Sequence, residues 1–445
     1  MKKKNILFIN YYFPPIGGAG VKRMIKFLKF LPNYGWSPIV LTVKNGNHPV
    51  KDATVLKEIG DQISVHRAMT IESIANKLTK KNQNIDAYPK SNFNYSSSFI
   101  NNFKKQLTKI GYIFRIPDSR ILWLPNAVIK GLILYRKEKY KVIFSTGPTF
   151  TNLIIGAILK KILKLPLVSD FRDAWIDDPM LPKNNKYFLK INNILEKFVI
   201  LNSDIVISTN SYVTKSFIKR YRNERKEKFI TIYNGYDKDD YNTKEYSNCD
   251  RIKKFTIVHT GILYNERTPK YFLMAVNNLL YYNNHLKDNL KVIFVGVCED
   301  FFDGKKIEDY IEEYNLSNVV ELIGHVDREK SLEYQMKANL LLAIIGIVPE
   351  KSAMTYGIPG KLFDYMATGR DILTISNDGA SRNFINQFKI GDIFYHNDIG
   401  GISNYLKNKI MKMENDSNFS NKDFSMFDIS RQSETLSKHL NELLM

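Results

Sequence analysis

Short apolar runs alternate with helical patterns along most of the chain. Asn5–Asn10 (NILFIN) is an apolar run, followed by a Gly/Pro loop and a helical repeat over Val21–Leu31. Pro38–Val43, Lys141–Thr146 (KVIFST), Leu165–Phe171 (LPLVSDF), Asp204–Thr209 (DIVIST) and Phe229–Asn234 (FITIYN) read as further strands, with a helix over Phe150–Leu163. Continuous apolar strands separated by helices point to a parallel sheet covered on both faces. Residues 236–253 break the rhythm: they are polar, have no apolar period and read as a linker. The alternation restarts with Phe255–Gly261, Leu290–Gly296, Val319–Gly324, Leu340–Ile345 and Asp371–Ser376. The expectation is an α/β protein of two doubly wound domains, 1–235 and 254–428, with a segment 429–445 that carries an amphipathic helix. Facing strand ends would form a central cleft, where such sheets bind ligands.

Residues 74–116 do not fit the alternation. They are rich in Asn, Lys and Ser and carry aromatics such as Tyr88, Phe99 and Tyr112 beside Lys104, Lys105, Lys109 and Arg115. A basic amphipathic insertion of this kind suits a membrane interface, and equally a helix packed on the first domain with a solvated Lys face.

Composition narrows the classes. The chain has 445 residues, of which 44% are hydrophobic and 13% aromatic, so it can build sizeable cores and is no disordered chain. Its two cysteines cannot form a disulfide framework, which points to a reducing compartment. The longest apolar run, Leu340–Val348, is about half the 18–20 residues that span a bilayer and reads as a buried strand. Lys2, Lys3 and Lys4 before an apolar stretch could pass for a leader, but Pro14 and Pro15 interrupt it; the expected location is cytoplasmic.

Charge adds a second division. Of the net +20, residues 1–200 hold 33 Lys and Arg against 12 Asp and Glu, while residues 201–445 hold 32 against 33. A basic first half and a near-neutral second half imply an anionic partner for one domain. Nucleic acid, an anionic membrane surface and a phosphorylated substrate all meet that description, and a simple compositional bias towards Lys is the plain alternative.

Four segments carry candidate chemistry. Gly17 and Gly18 lie in PPIGGAG between the first strand and helix, where glycines let backbone approach an anion at a helix N-terminus. Their spacing matches neither the dinucleotide fingerprint nor the P-loop, so a tight turn accounts for them as well. In SDFRDAW, Asp170 and Asp173 flank Arg172 at a strand end; a carboxylate there could take a proton from an acceptor hydroxyl, or the trio could anchor a loop. In GILYNER, Gly261 ends a strand and Arg267 precedes a helix that Pro269 helps to start, a clamp for a diphosphate or a surface arginine. In GIPGKLFDYMATGR, Gly360 and Lys361 open a short helix with Asp364 one turn on. Lys361 suits phosphates and Asp364 ribose hydroxyls, or the two form a surface ion pair.

With these segments in this order the chain resembles the GT-B glycosyltransferases of family 4, closest to the branch that builds bacterial polysaccharide and lipopolysaccharide. The resemblance rests on YYFPPIGGAGVKR (11–23), PDSRILWLP (117–125), STGPTFTNLIIG (145–156), SDFRDAW (169–175), IYNGYD (232–237), HTGILYNER (259–267) and GIPGKLFDYMATGRDIL (357–373). It implies two Rossmann-like domains of the GT-B architecture, the second binding a nucleotide-sugar donor and the first a glycan or lipid-linked acceptor. It implies no cofactor and no metal, retention of anomeric configuration, and a C-terminal helix that packs back on the first domain. By position, Gly17 and Gly18 would line the cleft near the donor phosphates, Gly261 and Gly360 would belong to the donor-binding set, Arg267 and Lys361 would neutralise the leaving diphosphate, and Asp364 would bind the ribose. Where the family carries paired glutamates, this chain has Tyr356 and Asp364.

Two other functions are compatible with parts of this pattern. A nucleotide-sugar 2-epimerase shares the fold, but it calls for more acidic and His residues in the cleft than seven scattered histidines supply. A nucleic-acid-binding protein would use the basic half, but helix-turn-helix, RNP and zinc patterns are missing, so no nucleic-acid partner is expected. The partners expected are a nucleotide sugar, a glycan or lipid-linked acceptor, and an anionic membrane surface on which the protein is peripheral.

Overall fold

A computed structural model describes residues 3–16, 19–44, 58–60, 63–70, 116–178, 181, 185–241, 254–299, 301, 303–347, 357–413 and 422–445. The chain divides into two compact units, Met1–Tyr233 with Ile429–Met445, and Asn234–Asp428. The insertion 74–116, apart from Ile116, and the glycines Gly17 and Gly18 lie outside the described residues.

In the first unit seven described strands form one parallel sheet in the order β3-β2-β1-β4-β5-β6-β7. They are β1 (Lys4–Ile9), β2 (Trp36–Lys44), β3 (Ser64–Met69), β4 (Val142–Thr146), β5 (Leu167–Phe171), β6 (Ile205–Ser208) and β7 (Phe229–Thr231). Every residue of β4, β5 and β6 is buried, because helices cover both faces of these central strands. On one face lie α2 (Leu124–Glu138), α3 (Phe150–Leu163), α4 (Lys186–Asn202) and α5 (Ser211–Arg220), following α1 (Ala19–Phe30) in the chain. The other face is covered by α1 and by a C-terminal helix, Ile429–Glu442. That helix buries Ile429, Leu436 and Leu440, and Trp36 Nε1 donates to Ser437 Oγ at 3.2 Å.

The second unit repeats the plan with six described strands in the order β10-β9-β8-β11-β12-β13. These are β8 (Phe255–Thr260), β9 (Leu290–Val295), β10 (Val320–Gly324), β11 (Leu340–Ile345), β12 (Asp371–Ser376) and β13 (Asp392–Phe394). Its helices are α6 (Lys270–Tyr282), α7 (Ile307–Glu313), α8 (Arg328–Lys337), α9 (Gly360–Ala367), α10 (Ala380–Phe388) and α11 (Ile399–Met413), which makes the C-terminal helix α12. Tyr236 N donates to Phe427 O at 3.1 Å, so the entry and exit of this unit are tied together.

Most strands lie within two residues of their sequence-based bounds. Two were not anticipated. β3 (SVHRAM) is an edge strand with charged and polar side chains and only one buried residue, and β13 has three residues, too few for a pattern. Within the polar stretch 236–253, Lys238–Tyr241 forms a 3-10 turn that belongs to the second unit. In each sheet the chain reverses direction of growth once, between β1 and β4 and between β8 and β11. Ligands of doubly wound sheets bind at such switch points.

Candidate active site

The second unit's switch point brings together three residues from separate elements. His259 is the one ionisable side chain in β8, and it is 1% exposed. Its Nδ1 lies 2.9 Å from the carbonyl oxygen of Leu342 in β11, which can only accept, so Nδ1 carries the hydrogen. Burial, then the charge of Lys361, holds the imidazole pKa well below its ordinary value, so the ring is neutral. Its Nε2 is therefore a lone-pair acceptor, and Lys361 Nζ, from the first turn of α9, donates to it at 3.1 Å.

Lys361 itself is pushed well below the usual lysine value, first by burial and then by the charge of Arg267. Arg267 ends a 3-10 turn after β8 and lays its guanidinium over the Tyr264 ring, 4.8 Å from the centroid. Among the described residues neither Arg267 nor Lys361 is paired with a carboxylate. Gly261 has φ +110°, and a Cβ there would sit 3.2 Å from Lys361 Nζ, so a side chain would be strained and would crowd the amine. Two basic groups without a carboxylate partner among the described residues, beside the N-terminal turn of α9 that Gly360 begins, make a site for an anion.

Asp364 follows one turn later on α9, but it forms no ion pair with Lys361. Its Oδ1 accepts from Tyr241 Oη at 3.1 Å and faces Arg328 Nη2 at 3.5 Å, while Arg328 is held by Asp240 at 2.7 Å. The carboxylate is thus fixed in place by residues of the 3-10 turn and of α8. Burial, then Asp364, raises the Tyr241 pKa well above the ordinary phenol value, so its hydroxyl stays a donor.

In the first unit SDFRDAW separates into two roles. Asp170 is the penultimate residue of β5 and is 1% exposed. Arg23 of α1 reaches its two oxygens at 3.1 and 3.4 Å, and Thr146 Oγ1 donates to it at 2.8 Å. Arg23 also donates to the carbonyls of Ile232 and Tyr233. Asp170 is therefore an internal anchor paired with Arg23, where the sequence pattern suggested Arg172 and a role in proton transfer. Arg172 turns to the Gly147 carbonyl. Asp173 is the exposed member. Desolvation holds its carboxyl above the ordinary aspartate value, against the opposing charge of Arg172.

The loop that carries Asp173 is pinned from below. Trp175 is fully buried, stacks on Phe150 at 4.4 Å and donates to Asn192 at 2.9 Å. Ile176 N donates to the buried Glu196, which also receives Arg220 at 2.6 Å and Tyr221 at 2.8 Å. Asp118, from the PDSRILWLP segment, accepts from Thr151 N and Oγ1 at 2.9 Å and so caps the start of α3.

Sequence reasoning assigned no role to His259, Arg23, Tyr241 or Arg328. A signal existed for His259, an ionisable residue in the otherwise apolar strand FTIVHT two positions before Gly261. None existed for Arg328, whose partners lie 88 and 36 positions away.

These two doubly wound parallel sheets are the GT-B fold of glycosyltransferases. The chain is similar to HepE of Anabaena, solved in complex with UDP, with a TM-score of 0.60 and 14% identity over 98% of this chain and 100% of that one. It is also similar to the sucrose-phosphate synthase of Thermosynechococcus elongatus (TM-score 0.59, 14% identity, 99% of each chain). A third such structure is the lipopolysaccharide outer core galactosyltransferase WaaB (TM-score 0.55, 13% identity, 99% of each chain). No protein-family model and no curated protein matches the chain.

Proposed function

We propose that the protein transfers a sugar from a nucleotide-diphosphate sugar to a hydroxyl of a lipid-linked glycan, in the synthesis of a bacterial surface polysaccharide. The observation that carries this reading is the basic couple Arg267 and Lys361, without a carboxylate partner among the described residues, set around a neutral histidine at a switch point. The Anabaena HepE structures with UDP and with UDP-glucose support a nucleotide-sugar donor for this fold.

In this mechanism the bond between the sugar C1 and the β-phosphate oxygen breaks as the acceptor oxygen approaches. Negative charge grows on the leaving diphosphate, and Arg267 and Lys361 stabilise it in place of a metal. Asp364, held by Tyr241 and Arg328, presents a fixed acceptor to the ribose hydroxyls. Asp173 takes the acceptor side, where desolvation raises its pKa above the ordinary aspartate value and makes its carboxylate a better proton acceptor. Retention follows when the acceptor attacks from the face that the phosphate leaves.

A thermal-shift panel of UDP-, GDP- and dTDP-sugars identifies the donor, since a ligand that binds the folded state raises its stability. With that donor, Lys361→Gln lowers turnover about 100-fold, the scale of losing one preorganised charge contact, and leaves the unfolding midpoint near that of the wild type. A variant as active as the wild type refutes the clamp.

A further inference from the structure

We infer that the outward face of α2, α3 and α4 is a docking surface for an anionic lipid bilayer. This rests on the lipid-linked acceptor proposed above and says where its carrier meets the protein.

The face is apolar and basic at once. On α2, Ile129 and Ile133 stand one turn apart in solvent, with Arg136 and Lys137 continuing the same side. On α4, Tyr187, Lys190, Ile194, Lys197 and Leu201 are spaced by three or four residues, so they form a single exposed stripe. Between these helices α3 presents Lys161 and Ile162 at its C-terminal end. The large apolar side chains of this face are exposed to between 47% (Leu201) and 81% (Tyr187). The opposite sides of the same helices already fill the core, with Ala127, Leu134, Val199 and Ile200 buried. The exposed isoleucines are thus additional to what the fold requires.

Negative charge is absent from the described face. The three helices carry eight Lys and Arg and two carboxylates, Glu138 and Glu196. Glu138 is half-buried, and Glu196 is fully buried in its pair with Arg220. Scattered exposed isoleucines are ordinary, but apolar side chains on three adjacent helices, set among cations with no exposed carboxylate, match an interface with acyl chains below and anionic headgroups around. The uniform charge also disfavours a second copy of the chain, because a two-fold contact would set these cations against each other. α4 is the next helix after Asp173 in the chain. No helix among the described residues is long and apolar enough to cross a membrane.

The test is flotation of the full chain with vesicles of phosphatidylcholine alone or mixed with phosphatidylglycerol, at low and high salt. The wild type floats with the mixed vesicles at low salt, sinks at high salt, and stays down with phosphatidylcholine alone. Ile129→Asn with Ile194→Asn weakens partitioning about tenfold or more, and Lys190→Glu with Lys197→Glu abolishes it. Both pairs are surface changes, checked by an unaltered unfolding midpoint. The inference fails if the wild type does not float at low salt, if both variants float like the wild type, or if the isoleucine pair turns a dimer into a monomer. Nucleotide-sugar binding, read by thermal shift in the same preparations, is a separate outcome. Flotation without it keeps the docking surface and removes the transferase reading, and the reverse result does the opposite.

Discussion

His259 has one protonation state open to it, with a carbonyl on one nitrogen and an amine on the other. That makes it the residue that aims Lys361. In His259→Phe the amine loses its acceptor, and the donor KM rises about tenfold, the size of one hydrogen bond to a charged group. His259→Gln, which can still offer an oxygen, recovers part of this, a rescue that loss of packing alone would not show. A second consequence concerns protons. The free protein holds the Lys361 pKa far below its ordinary value, through burial and Arg267, while a bound diphosphate would raise it. Between the two values, binding takes up a proton, so donor affinity falls as pH rises through that window. Calorimetry in buffers of different ionisation enthalpy measures the uptake. Lys361→Gln removes it, and equal heats in all buffers for the wild type would refute it.

At the scale of elements, the two aspartates of SDFRDAW divide stability from chemistry. Asp170→Ala strands the buried Arg23 guanidinium and costs about 3 kcal/mol in urea unfolding. Asp173→Asn leaves unfolding almost unchanged and lowers turnover. The strands easiest to read from sequence are those buried along their whole length: β11 is apolar throughout, and β4, β5 and β6 each begin with apolar residues. The helix expected over Phe150–Leu163 coincides with α3 to the residue, and Lys164 ends it in the αL conformation. β3 escaped because an edge strand with His66 and Arg67 has no apolar period. The candidate site was legible as segments and only partly as contacts. Lys361 and Asp364 share a helix, which sequence shows, yet they turn to different partners, which depends on β8 and α8 packing against that helix. Likewise the partner of Asp170 lies 147 positions away, and no local pattern reports such a pairing.

At the scale of the molecule, the charge imbalance of the sequence acquires a location. Part of the excess in residues 1–200 stands on the outer side of one helical layer, while Arg267 and Lys361 are local to the second unit. The first unit is also completed by a segment distant in sequence. α12 fits Leu436 and Leu440 against the core that contains Trp36. Leu436→Ala creates a cavity there and costs about 2–5 kcal/mol. Hydrogen exchange should therefore quicken in α1 and β2, more than 390 positions away, while the second unit keeps its protection. Faster exchange confined to α12 would show that the helix contributes little to that core.

That discontinuity sets an order of events in the cell. The second unit is a continuous stretch, Asn234–Asp428, and can fold as it leaves the ribosome. The first unit is begun earlier yet finished later: its sheet is translated by residue 233, but one side is covered by α1 alone until the segment from Ile429 onward has been made. For the time needed to translate some 195 residues, Trp36 and its apolar neighbours await their lid. A premature stop after the second unit would thus leave that unit whole and turn the first into a substrate for chaperones and proteases.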